Sequence, residues 1–135
     1  MSNQNTDYAL RARLTEPYEA AVEKVTAALK EEGFGVLTEI DVQAMLQKKL
    51  DVDFRRYVIL GACNPPLANR ALQADLDVGL LLPCNVIIFE EGTGSAVSII
   101  DPIVMLAAVA SPELEPVASE ARARLLRVIE IVARR

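Results

Sequence analysis

The chain has no histidine, no tryptophan and only two cysteines among its 135 residues. Without histidine there is no Ser-His-Asp triad, no Cys-His pair, no imidazole proton transfer and no imidazole metal ligand. Two thiols are too few for a disulfide-built secreted scaffold. Basic residues are the minority, with 14 Lys and Arg against 19 Asp and Glu and a net charge of -5. That lacks the basic excess that nucleic-acid backbones recruit. Long apolar runs are missing too: the longest, Ile103 to Ala110, is too short to cross a bilayer. The opening Met1-Ser2-Asn3-Gln4-Asn5 is polar and shows no signal-peptide core. A soluble cytoplasmic protein with reduced thiols is expected, with no cofactor, no resident metal, no nucleic acid and no membrane as partner.

What is there is mostly apolar, 52% hydrophobic against 24% charged. That balance argues against disorder, and a chain of this size buries roughly two thirds of its unfolded surface. One domain over residues 1–135 is expected. Residues 1 to 6 read as a frayed start. Tyr8, Leu10, Ala12 and Leu14 then alternate with Arg11 and Arg13, the period of a half-buried strand. Thr15-Glu16-Pro17 opens a helix whose apolar stripe is Tyr18, Val22, Val25 and Leu29, and Gly33 closes it. Phe34 to Ile40 reads as a second strand, and Asp41 as the cap of a short helix carrying Val42, Met45, Leu46 and Leu50, with Met45 in the core. Tyr57 to Cys63 is apolar throughout and reads as a central third strand. Asn64-Pro65-Pro66 starts a helix that fades near Asp75 to Asp77.

Cys84 to Glu90 and Ala96 to Ile100 form a hairpin across Glu91-Gly92-Thr93-Gly94-Ser95. Asp101-Pro102 begins a helix through Ala110. Ser111-Pro112 begins the last helix, over about 112–133, with Leu114, Val117, Ala121, Leu125, Val128 and Val132 on its apolar stripe and Arg134 and Arg135 at its end. The order β-α-β-α-β-α-β-β-α-α predicts an α+β fold: a mixed or antiparallel five-stranded sheet with helices on one face.

The hairpin brings the start of strand four beside the end of strand five. If strand three runs antiparallel to strand four, its end reaches the same rim. Cys63, Asn64, Pro65, Cys84, Asn85 and Asp101 then converge where two helices begin, and helix N-termini favour anions and thiolates. Cys63 directly precedes a cap, where a thiol pKa is lowered; the plainer reading of both cysteines is small buried apolar residues. As a metal pair they lack two ligands, and they form no CxxC motif. Gly92-Thr93-Gly94 is a turn and not a phosphate loop, because a strand follows it. Lys48, Lys49, Arg55 and Arg56 form the one basic cluster, read as a solvated rim and helix C-terminus or, alternatively, as a patch for an acidic ligand or partner.

Four segments carry a resemblance. Gly33-Phe34-Gly35-Val36-Leu37-Thr38-Glu39-Ile40-Asp41, Leu60-Gly61-Ala62-Cys63-Asn64-Pro65-Pro66-Leu67, Gly79-Leu80-Leu81-Leu82-Pro83-Cys84-Asn85-Val86 and Ile100-Asp101-Pro102 resemble the domain-of-unknown-function 302 family over about residues 20–110. The resemblance implies a small α+β fold of the TATA-binding-protein-like class, assembled as a homodimer in bacteria; it does not imply DNA binding, and the acidic charge argues against that. The family pattern centres on Asn-Pro, Leu-Pro and Asp-Pro, which fall on Asn64-Pro65, Leu82-Pro83 and Asp101-Pro102. It implies no activity.

The expected function is therefore a homodimeric, non-catalytic binding module. Its ligand, small and polar or anionic, would sit at the rim, oriented by Asn64 and Asp101. The alternative is a thiol protein, a redox switch or soft-metal site that uses Cys63 and Cys84. A third reading is a plain interaction domain with its partner surface on the dimer contact or the last helix.

Overall fold

The computed structural model describes residues 8–134. The frayed start at residues 1 to 6 and the placement of Arg135 lie outside the described residues. The chain runs β1 (Ala9–Leu14), α1 (Tyr18–Glu31), β2 (Gly35–Asp41), α2 (Val42–Leu50), β3 (Tyr57–Cys63), α3 (Pro65–Ala74), β4 (Cys84–Glu91), β5 (Gly94–Ile100), α4 (Pro102–Ala107) and α5 (Glu115–Ala133). Short 3-10 turns at Leu76–Leu81 and Pro112–Leu114 precede β4 and α5.

The five strands form one sheet in the order β1-β5-β4-β3-β2, and every neighbouring pair is antiparallel. The expected α+β class holds, with the mixed option resolved to wholly antiparallel. The β4–β5 hairpin turns tightly at Gly92 and Thr93, since Glu91 already pairs with Gly94. That is two residues where a five-residue loop was expected. Gly92 takes φ +60, which a two-residue hairpin turn needs and glycine supplies without steric cost.

Strand alternation gives the sheet two unlike faces. Leu10, Val97, Ile88, Val86, Leu60 and Val58 point one way and are almost wholly buried. They pack against Val25 and Leu29 of α1, Leu67 of α3, Leu106 of α4 and Leu125, Val128 and Val132 of α5 in one core. The helix starts follow their caps: Asp41 accepts from Ala44 N–H, Asn64 from Leu67 N–H and Asp101 from Ile103 N–H. Helix α1 starts after Pro17 without a side-chain cap, and Gly33 beyond its end takes φ +86. Helix α4 stops at Ala107, short of Ala110, which sits at φ 57.

Helix α2 departs from expectation. None of its residues is buried, and it lies against β2 and β3. Met45, expected in the core, is 39% exposed. The other face of the sheet carries Ile40, Ile59, Ile87, Tyr57, Phe89 and Ile100, and no helix of the core covers it.

Candidate functional site

Antiparallel pairing of β3 with β4 and of β4 with β5 brings the six sequence-predicted residues to one rim. Ala62 stands opposite Cys84 and Gly61 opposite Asn85, while Val86 stands opposite Ile99. The strand ends at Cys63 and Ile100 therefore flank the start of β4. Convergence of backbone does not make the residues alike, however.

Asn64 is 7% exposed and fully occupied. Its Oδ1 accepts from Leu67 N–H at 3.2 Å, and its Nδ2 donates to the Glu32 carbonyl at 3.4 Å. The same carbonyl accepts from Arg124 Nη1 at 3.1 Å, and Arg124 also grips Glu120. The Arg124 and Arg70 guanidiniums hold the Glu120 carboxyl below the usual carboxylate range. Gly33 packs against this cap: a Cβ there would come within 2.8 Å of Asn64 Nδ2. Asp101 is equally committed. Its Oδ1 accepts from Ile103 N–H at 2.9 Å and its Oδ2 from Arg122 Nε at 3.0 Å.

These bonds remove most of the donors that the helix starts were expected to offer an anion. Pro65 and Pro66 have no N–H. Leu67 N–H is bound to Asn64 Oδ1, and Ala68 N–H to the Asn64 carbonyl at 2.9 Å. At α4, Pro102 has none, Ile103 N–H is capped and Met105 N–H bonds the Asp101 carbonyl. Asn64, Pro65 and Asp101 thus build the rim, and the polar groups of Asn64 and Asp101 are engaged by their own helix starts, the Glu32 carbonyl and Arg122.

Cys84 is buried like a small apolar residue, whereas Cys63 is part-exposed. Both are free thiols, and they are not cross-strand partners: Cys84 pairs with Ala62, Cys63 with Gly35. Burial pushes the Cys84 thiol up to about 11, with the neighbouring Cys63 adding to the shift. A thiol so raised is neutral at physiological pH and is neither nucleophile nor ready ligand. Both cysteines border a cavity of only ≈ 40 Å³ behind the rim, lined by Phe34, Leu67, Leu106 and other apolar groups. Among the described residues no three His, Cys, Asp or Glu side chains converge on a metal position.

Asn85 differs from the other five. It is exposed, and its side-chain amide makes no hydrogen bond among the described residues. It opens into a surface groove of ≈ 370 Å³ whose other walls are Leu80, Leu81, Leu82, Pro83, Ile100 and Met105. A larger groove of ≈ 480 Å³ between α4 and α5 contains none of the six rim residues.

The basic cluster disperses. Lys48 and Lys49 sit in the last turn of α2, favourable for its dipole. Arg55 lies over the Phe89 ring at 5.6 Å and donates to the Glu90 carbonyl. Arg56 pairs with Glu19 and covers the Tyr18 ring at 4.6 Å. Sequence reading missed Arg122 and Arg124, the α5 arginines that lock both caps. It also missed the wall formed by Leu80 to Pro83. Nothing in local spacing announces a bond from residue 124 to residue 32.

The geometry defines a class: an antiparallel α+β domain with one covered sheet face, one open face and a rim of capped helix starts. The chain belongs to the family described as Domain of unknown function DUF302, whose model matches residues 10–132. The match takes in β1 and nearly all of α5 as well as the 20–110 stretch. The structure is similar to the crystal structure of an uncharacterized conserved DUF302 protein from Bacillus stearothermophilus, at 29% identity and a TM-score of 0.87, covering 94% of this chain and 99% of that one. No curated protein matches. Among the described residues no helix is long and apolar enough to cross a membrane.

Proposed function

We propose that the chain is a non-catalytic binding module, working as a homodimer, whose ligand site is the rim groove beside Asn85. The observation that carries this reading is an exposed amide with unused donors and acceptor, set in a groove of ≈ 370 Å³ whose lining is mixed polar and apolar. That volume falls in the range of small-molecule sites, which are mainly apolar with a few orienting polar groups. The ligand that fits is small, with an apolar body against Ile100, Met105 and Leu80 and one carbonyl, carboxylate or amide end toward Asn85. Asn64 and Asp101 hold the walls in place and do not touch it.

Three features support the non-catalytic reading. There is no imidazole base. The Asp101 carboxylate is bound to Arg122, and the Cys84 thiol is raised. Nucleophilic catalysis needs a nucleophile beside a base or with a lowered pKa, and the buried Cys84 thiol, its pKa raised, is the opposite case.

The test is backbone-amide NMR titration with short aliphatic amides and carboxylic acids. Shifts should centre on Asn85, Ile100 and Met105 and vanish in Asn85→Ala. Shifts confined to the α4–α5 groove, or none with any member of the panel, would sink the ligand reading.

A further inference from the structure

The rim groove beside Asn85 and the small cavity behind the rim meet at one wall. Leu82, Pro83 and Met105 line both, and no other residue does. The two spaces differ in character. The groove is mixed polar and apolar and holds the free Asn85 amide. The cavity, ≈ 40 Å³, offers an apolar surface throughout and reaches Phe34, Leu67 and Ala71. The one amide that borders it, that of Asn64, is engaged at both ends. A buried water needs polar partners that such a lining does not offer, so the space suits hydrocarbon. At about 10–15 Å³ for each water-sized group it has room for about three methylenes, far less than the roughly 150 Å³ of an apolar cavity that takes benzene.

The three wall residues differ in freedom. The Pro83 ring packs on Gly61, where a Cβ would come within 2.7 Å of its Cγ. Leu82 and Met105 are part-buried at the margin of the core. Met105 has a fixed backbone: its N–H bonds the Asp101 carbonyl at 3.0 Å, and the Asp101 carboxylate is bound to Arg122. Its side chain is unbranched and adapts to irregular space. It is the part of the wall that can turn aside without moving an element of the fold.

We propose that Met105 is the gate between the two spaces, and that the ligand is an unbranched aliphatic chain with a carbonyl-type polar end. The polar end meets Asn85, and the tail passes Met105 into the apolar cavity. This rests on the Asn85 reading above and names the ligand class of that site. A slender amphiphile matches both spaces at once: a polar end for the free amide, and hydrocarbon for a cavity too small for a ring. Branched and aromatic bodies stay in the outer groove.

NMR titration of the full chain with straight-chain primary amides, from propanamide to octanamide, tests this. Affinity should rise about fourfold per added methylene, the gain from burying one. The rise should run over about three methylenes and then level off, as the cavity fills. The longer amides should shift signals of Phe34, Leu67 and Ala71 together with Asn85, and branched isomers of equal carbon number should shift Asn85 alone. Met105→Ile, whose β-branched side chain is stiff, should flatten the rise and keep the affinity of propanamide. Ala68→Leu, which fills the cavity from a part-exposed position on α3, should do the same. Binding at Asn85 that ignores chain length, or that leaves Phe34 and Leu67 unmoved, overturns the gate and leaves the Asn85 site standing. A rise that survives in folded Met105→Ile overturns Met105 as the gate. No shift at Asn85 with any amide overturns both the site and the gate. If the variants fail to fold, the straight-chain and branched series on the wild type decides alone.

Discussion

Ile87 and Ile88 are neighbours in β4 with the same side chain and opposite fates. Ile88 is completely buried beneath the helices, whereas Ile87 is half-buried on a face that no core helix covers. Both faces of the sheet carry isoleucine at their middle, and they are unequal in cover. Apolar surface in a strand is thus evidence that something covers it, not evidence of what does. On one side the cover comes from this chain, through α1, α3, α4 and α5. On the other no helix of the core lies, and α2, which touches β2 and β3, buries none of its residues.

The sharpest way to break this comparison is to truncate each isoleucine in turn. Ile88→Ala should cost about 2–5 kcal/mol of unfolding free energy, the range for a fully buried aliphatic side chain, and the loss should be the same at every protein concentration. Ile87→Ala, at a part-buried position, should cost less. Urea unfolding reads both. Equal losses would abolish the distinction.

The two thiols extend the contrast. The Cys84 thiol, with its pKa pushed up to about 11 by burial, stays neutral after an unfolded thiol has begun to ionise near 8.5. Between those values the unfolded state has lost a proton that the folded state keeps, so stability falls as pH rises. Below about 8.5 the contribution is fully present; by about 11 a loss on the order of 2 kcal/mol has accrued. Denaturation at pH 8 and pH 10.5 should show the fall, and Cys84→Ala should flatten it. Cys84 should alkylate only on unfolding, and rapid labelling of the native protein at neutral pH would refute the assignment.

Gly61 lies on the open side yet has no room. A Cβ there would collide with Thr38 Oγ1 and come within 2.7 Å of Pro83 Cγ. Gly61→Ala should cost about 1–3 kcal/mol, as overpacking does. A neutral substitution by thermal melt would mean that Pro83 moves aside freely, and the walls of the rim groove with it. The smallest expected effect is at the rim itself. Asn64→Ala should lose about 1 kcal/mol, the usual worth of a helix cap, and should leave ligand binding at Asn85 intact. Loss of binding without loss of stability would restore Asn64 as a ligand residue.

Most of the fold was legible in the sequence. The strand alternation, the caps Asp41, Asn64 and Asp101, and the stop at Gly33 are local signals, and the structure uses each as expected. The α2 region misled because Val42, Met45 and Leu46 keep helical spacing whether or not anything covers them. Periodicity reports which residues share a face, not whether that face is covered. The rim showed the same limit. Asn64 and Asp101 looked like ligand residues because cap and binding site draw on the same polar side chains at the same helix ends. Arg122 and Arg124 decide between the two, and they come from a helix distant in sequence. One local clue to the open face was present. Tyr57, Ile59, Ile87 and Phe89 make β3 and β4 apolar at odd and even positions alike, the mark of strands covered on both sides.

The outer pairing of the sheet carries a kinetic consequence. Strand β1 has a single neighbour, β5, and Leu10 meets Ile99 there, so the first strand finds its place only against nearly the last. Contacts that close such long loops are slow to form. On a ribosome, β1 emerges and waits while α1, the β2–α2–β3 unit and the β4–β5 hairpin assemble. Helix α5, which seals the core with Leu125, Val128 and Val132, follows later still. Until then the core side of the growing sheet is covered only by the helices already made, and the apolar surface that α5 will seal stays open to any chaperone that meets it.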